Sequence, residues 1–428
     1  MNCDGLRADI DGLKQELQTL EADIETIREA EEHSKELQGA MMIVDSDLSD
    51  AILEKYLKDF KEQNPEVFSD FTLGKRIDIE DANGGSASVD SVVAMDDGHV
   101  LIGGNKGIFY TGVFDEQGEL VLNERIDVRD GEGKPLRINS IVAADGEHVL
   151  IGGEDGALYE GSFSERDELR LGGRRIGIWD ANFGMVGVRS IAASKGGRVW
   201  IGGDGGILLD GSYNERGEFM LGRQVHVKNA YGRSASIWCT AVTDSGYVLV
   251  GGLSGVFYAG SYNNQGELEL GESIDIRSAS WNPGNITSIA VDDDGRVLIG
   301  GENGVLYTGL YDDQGEFKLS ERIDITDTDD LPMNISSITI VENGCALIGG
   351  NDGVLSVGYY DDEGLVLGEQ IDILDANERP VSISSISIAE DGHVLIGGEN
   401  GVLYTGFCGI NLEMLKQHLP EIIEKGRA

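Results

Sequence analysis

Proline is scarce in this chain, 6 residues in 428, which excludes a Pro-rich stalk or linker as its main architecture. Basic residues are also few: 33 Lys plus Arg stand against 77 Asp plus Glu, for a formal net charge of -44. Nucleic acid and anionic membranes are bound mainly by cations that neutralise phosphates, so such a field argues against both as partners. It leaves a protein partner, a basic one in particular, a neutral ligand or a cation. No apolar run nears the ~20 residues needed to span a bilayer, so no membrane insertion is expected. The opening MNCDGLRADIDG has no basic or apolar region of a secretory signal. Cysteines number only 4, and Cys3, Cys239, Cys345 and Cys408 show no CxxC spacing. They read as unpaired thiols in a reducing compartment, and a cytoplasmic protein is expected.

Glycine, in contrast, is abundant at 62 residues, and it recurs in one phrase. LIGGNKG begins at Leu101, LIGGEDG at Leu150, WIGGDGG at Trp200, LVGGLSG at Leu249, and further copies begin at Leu298, Leu347 and Leu395. The seven copies are 49, 50, 49, 49, 49 and 48 residues apart. That period matches a four-stranded propeller blade of ~40 to 50 residues. The unit from Ile286 to Ile325 reads as strand NITSIAV, turn DDDG, strand RVLIGG, turn ENG, strand VLYTGLY, turn DDQG and strand EFKLSERIDI. Asp, Asn and Gly in each turn tolerate the left-handed backbone of tight hairpins. Gly300 and Gly301 are expected where neighbouring backbones approach closely.

The seventh unit stops at Cys408 without a fourth strand. The missing piece, FTLGKRIDI, lies at Phe71 to Ile79, ahead of the first unit. The expected fold class is therefore all-β: a seven-bladed propeller of four-stranded antiparallel blades, closed by an N-terminal strand that completes the last blade. The propeller is placed at 69–408, with a helical segment at 1–40, a linker and amphipathic helix at 41–68, and a C-terminal helix at 409–428.

Phrases such as RSIAASKGGRVWIGGDGGILLDG (Arg189 to Gly211) and TSIAVDDDGRVLIGGENGVLYTG resemble the two-component-regulator type of WD40-like propeller repeat. The resemblance covers about half of each unit, with Gly-Gly where Gly-Thr is usual. It implies the fold.

In the N-terminal segment Leu6, Ile10, Leu13, Leu17, Leu20, Ile24 and Ile27 are spaced 4, 3, 4, 3, 4, 3, a heptad seam. The pattern suits a coiled coil for oligomerisation or docking, or a helix packed on the propeller itself.

Catalytic signatures are missing: there is no GxSxG, Walker loop, HExxH or dinucleotide fingerprint. His99, His148 and His393 occupy one repeat position in different blades, which does not suit a shared metal, and the acidic turns lack the spacing of a calcium loop. No cofactor and no metal site is expected.

A site is best sought where the repeats disagree, because scaffold positions must recur. Eleven residues before the Ile or Val of each IGG phrase stand Ser91, Ser140, Ser190, Cys239, Ser288, Ser337 and Ser385, a scaffold position with one exception. One residue earlier stand Asp90, Asn139, Arg189, Trp238, Thr287, Ser336 and Ser384, a candidate ring at the channel mouth. The loops leading into the first strands of three successive blades add Trp179, Phe183, Tyr231 and Trp281. Aromatics with an arginine suit an interface hot spot or a sugar-stacking platform, unless each ring tucks between blades. The reading is a non-enzymatic interaction module. The alternatives are a carbohydrate or small-ligand binder and an enzyme using Asp90 as base with Arg189 as electrostatic clamp.

Overall fold

A run such as Val297–Gly301, apolar or glycine at every position, does not suit a strand with one wet face; it suits a strand covered on both. In the computed structural model each such run is the second strand of a four-stranded antiparallel sheet. The structure describes residues 70–409 except 96, 116–117, 124, 145–147, 164–168, 195, 215, 244–245, 263–267, 279–282, 293, 312–315, 329, 341–343, 361–363 and 390. Blade five is Ile286–Val291, Arg296–Gly301, Leu306–Tyr311 and Phe317–Arg322, each paired with the next. First strands of successive blades lie side by side, and Val89–Ala94 of blade one also lies against Ile383–Ile388 of blade seven. The result is a seven-bladed β-propeller, the fold that the repeat resemblance implies.

Blade seven combines both ends of the described chain. Its first three strands are Ile383–Ile388, His393–Gly398 and Val402–Gly409; its fourth is Asp70–Asp78. The two end strands pair antiparallel, Asp70 opposite Gly409 and Asp78 opposite Val402. Helix among the described residues is limited to four single 3-10 turns, such as Asp204–Gly206, and no helix there is long and apolar enough to cross a membrane. The expected helices, including the heptad positions Leu6 to Ile27, lie outside the described residues.

The core lies in seven seams between neighbouring blades. Leu150 and Leu158 of blade two, for example, pack with Val188 and Ile201 of blade three. A Cβ on Gly300 would stand 2.5 Å from Ile338 Cδ1 and 2.6 Å from Ile335 Cγ2, so this glycine admits side chains of the next blade. Only Gly301 meets backbone: a Cβ there would run into the Asn285 carbonyl. The expected close backbone approach therefore holds for the second glycine of the pair.

The recurring serine laces these seams. Ser91 Oγ accepts from Ile141 N–H at 3.0 Å, Ser140 from Ile191 at 2.9 Å, and so on to Ser385, which accepts from Val92 of blade one at 3.1 Å. Each bond satisfies a backbone donor that burial would otherwise strand. Cys239 breaks the pattern, its thiol instead lying 3.8 Å from the Ile286 carbonyl. Burial pushes that thiol's pKa up.

Two expectations need correction. The fourth strand was expected to be continuous to the IDI phrase; in blade five it ends at Arg322, after a register shift opposite Tyr307–Gly309. The final isoleucine then leaves the sheet, and Ile325 is buried in a seam. The cysteines were expected to be unpaired, but the sulfurs of Cys345 and Cys408 are brought together across blades six and seven. Among the described residues Cys239 alone is free.

Candidate functional site

Only the central axis of a ring can collect side chains from many blades, and a cavity of about 480 Å³ does so. It is lined by Asp90, Arg137, Asn139, Arg189, Asp204, Ser236, Trp238, Leu253, Thr287 and Ser384, contributed by six blades. Six of the seven residues expected at the channel mouth are thus brought together. Ser336 does not line the cavity: its hydroxyl donates to the Gly349 carbonyl at 3.0 Å and to the Ile383 carbonyl.

Five of the seven residues at the variable position fall into two uses. Where it is small and polar it laces blades. Asn139 Nδ2 donates to the Val188 carbonyl at 2.8 Å, and Thr287 Oγ1 to the Ile335 carbonyl at 2.5 Å, as Ser336 does one blade on. Where it is charged it builds ion pairs. Arg137 Nε lies 2.9 Å from Asp90 Oδ2, and Arg189 makes a two-pronged contact with Asp204, both bonds 3.0 Å. Burial raises the Asp90 pKa and outweighs the guanidinium beside it. Hydrogen bonding to Asp90 raises that of Arg137 in turn.

Arg137, Asp204, Ser236 and Leu253 are cavity residues that the repeat comparison did not single out. A signal was present. Three residues before the recurring serine or cysteine, Ser236, Asn285 and Asn334 each accept an N–H from the 3-10 or equivalent turn of the preceding blade. Arg137 occupies the same position and reaches Asp90 instead. Asp204 and Leu253 directly follow the Gly-Gly pair, at another position that varies between blades.

Of the aromatic candidates Trp238 lines the cavity; Trp179, Phe183 and Tyr231 do not, and stand on the loops that lead into the first strands. In the loop Trp179–Val186 the Asp180 carboxylate accepts from the N–H groups of Asn182 and Gly184 at 2.8 and 2.7 Å, which forms the tip. Phe183 sits on that tip with φ 61 and is 86% exposed. The equivalent positions of other loops hold Gly84, Gly133, Gly232, Asp330 and Glu378. A bulky side chain is disfavoured in this left-handed region and gains little burial there. Trp179, 49% exposed, leans on the outer strand of blade two: a Cβ on Gly177 would stand 2.7 Å from its Nε1. Gly177 replaces the Asp of the IDI phrase and leaves room for the indole. Tyr231, 72% exposed, occupies the next loop, capped by Asn229; Met185 adds a further exposed apolar side chain. Trp281 lies outside the described residues.

Among the described residues no group of three or more His, Cys, Asp or Glu is arranged to hold a metal. The acidic turn at Asp292 closes on itself, its carboxylate accepting from Arg296 N–H at 2.8 Å and pairing with the guanidinium at 2.7 Å. Compared with known families and with curated proteins, the chain matches no family model and no curated protein.

Proposed function

We propose that this chain is a non-enzymatic interaction module that presents the loop-tip aromatics of its second and third inter-blade loops, beside a charged channel mouth, to a protein partner. Phe183 carries the reading. An aromatic ring that the fold does not bury, at a backbone position favouring glycine, brings the monomer little stability; a partner that covers it would account for its presence. The blades hold these loops rigidly, so little ordering is required on binding. The N-terminal heptad segment serves as the oligomerisation or docking element, and Asp70–Asp78 as the strand that clasps the ring.

A second reading rests on the mouth itself. Two Arg–Asp pairs and Trp238 around a cavity of about 480 Å³ suit a small polar ligand. Enzymatic use of Asp90 as a base is less favoured, because Arg137 already holds its carboxylate.

The deciding experiment is partner capture from the native host with the full chain, a Phe183→Gly, Tyr231→Ala variant and a chain lacking residues 1–40. The captured protein should be lost with the aromatics. Phe183→Gly alone should raise stability by about 1 kcal/mol in urea unfolding, since glycine accepts positive φ without strain. Full retention of the partner by the aromatic variant sinks the loop reading, and loss confined to the truncated chain moves the interface to the heptad segment.

A further inference from the structure

One position in the repeat ties each blade to the next with a ring. The residue that begins the second strand of a blade lies against the residue that ends the third-strand phrase of the blade after it. His99 lies tilted against Phe163 with centroids 5.0 Å apart, His148 stacks on Tyr213 at 4.3 Å, and Tyr247 on Tyr311 at 4.6 Å. Two seams use a cation instead: Arg198 lies 4.0 Å from the centroid of Tyr262, and Arg296 5.2 Å from that of Tyr360. Between blades seven and one, His393 stacks on Phe114 at 4.3 Å.

At the remaining seam, between blades six and seven, both partners are cysteine. Cys345 begins Cys345–Gly350, and Cys408 stands seven residues after Gly401, as Phe114 does after Gly107. Both are buried, and their sulfurs are in contact. Two of the chain's four cysteines thus replace the two halves of one contact. Their backbone positions are those that six other seams bring together, so the pairing has support from the repeat as well as from the sulfur contact itself.

We propose that Cys345–Cys408 is a modification site, a reversible disulfide that replaces the ring stack as the tie between blades six and seven. Oxidised, it locks the ring. Reduced, it leaves two small thiols where other seams have stacked rings or a cation over a ring, so this seam opens first. Its position favours such a role, because Cys408 pairs in register with Phe71, near the end of the strand contributed from the far end of the chain.

Formation proceeds by exchange with a low-molecular-weight disulfide. One protein thiol loses its proton and attacks an S–S bond, forming a mixed disulfide and releasing a thiolate. The second protein thiol, likewise deprotonated, displaces the remaining small thiol and closes the protein bond. Two protons leave the protein, and its two electrons reduce the small disulfide to two thiols. A dithiol reductant reverses the sequence.

The test uses the full chain, equilibrated with oxidised glutathione or with dithiothreitol, then read by alkylation mass spectrometry after unfolding and by amide hydrogen exchange. Oxidised protein should protect Cys345 and Cys408 from alkylation. Reduction should speed exchange in Ile383–Gly409 and Asp70–Asp78 by roughly 30- to 900-fold, the range of a native disulfide's usual contribution, while Val188–Ala193 stays unchanged. A Cys345→His, Cys408→Phe variant, which copies the seam between blades seven and one, should lose the redox response although Cys3 and Cys239 remain. Alkylation of both cysteines after oxidation, or equal exchange in the oxidised and reduced wild type, overturns the proposal. So does an unchanged redox response in a folded double variant. The wild-type comparison needs no substitution, so it decides the matter even if that variant does not fold.

Discussion

The serine ring and the ring of residues one position before it are neighbours in sequence, yet they differ in what they do. Six of seven serine positions hold the same residue, because each must accept a buried N–H from the next blade. The preceding ring varies widely, and five of its seven members divide between lacing, at Asn139, Thr287 and Ser336, and charge pairing, at Asp90 and Arg189. Variation between repeats therefore marks freedom from one geometric demand; it does not by itself mark a binding site. Partners separate the two cases. A side chain that bonds to a neighbouring backbone carbonyl belongs to the scaffold, whereas a charged pair facing a cavity remains open to a ligand.

The largest effect that can break this comparison is expected at Ser140→Ala. It strands the buried N–H of Ile191 and should cost about 1–3 kcal/mol in denaturant unfolding. Asn139→Ala, one residue away and partly exposed, should cost about half as much. Equal losses would mean that the two rings are one scaffold.

A smaller effect of opposite sign is expected at Cys239→Ser. Restoring the recurring hydroxyl should let it accept from the backbone of Ile289, as Ser190 accepts from Thr240 at 3.0 Å, and stabilise by about 0.5–1.5 kcal/mol. A neutral or destabilising result would show that the thiol packs better than the hydrogen bond repays.

The smallest and most local effect is in acid. The Lys106 ammonium first, and then the N–H groups of Asn83 and Gly85, bring the Asp81 pKa down to about 2, whereas burial holds that of Asp90 above its ordinary value. Asp81 therefore stabilises the folded chain above the unfolded pKa near 3.8, and that contribution fades as pH falls toward 2. Asp90 has the opposite sign: its ionisation in the fold is unfavourable near neutral pH, and the penalty is relieved as pH falls through its raised pKa. Carboxyl NMR titration should find Asp81 ionising well below Asp90. The reverse order would place Asp90 in a far wetter mouth.

Much of the fold was legible because a propeller writes its geometry repeatedly. Seven IGG phrases gave the blade number, and a seventh unit lacking its fourth strand pointed to FTLGKRIDI. The early end of the outer strand in blade five was not legible, since ERIDI alternates well enough for a continuous strand and the register shift depends on the partner strand. The channel mouth was legible by column, but Arg137 and Asp204 were missed because their partners lie 47 and 15 residues away. Cys345 and Cys408 each depart from their own repeat column. To see that they meet, one must know that the start of one blade's second strand faces the end of the next blade's third.

The strand Asp70–Asp78 also sets an order in time. It leaves the ribosome among the first propeller residues, whereas its partner comes about 330 residues later. Blades one to six can each form from hairpins whose strands are adjacent in the chain, but blade seven depends on this single long-range pairing. Until that partner has been made, the strand must avoid wrong neighbours, and Lys75, Arg76 and Asp78 along it are the kind of charge that discourages edge-to-edge pairing. The ring thus becomes complete only once Val402–Gly409 has been made, so a chain that stalls before it lacks a finished last blade.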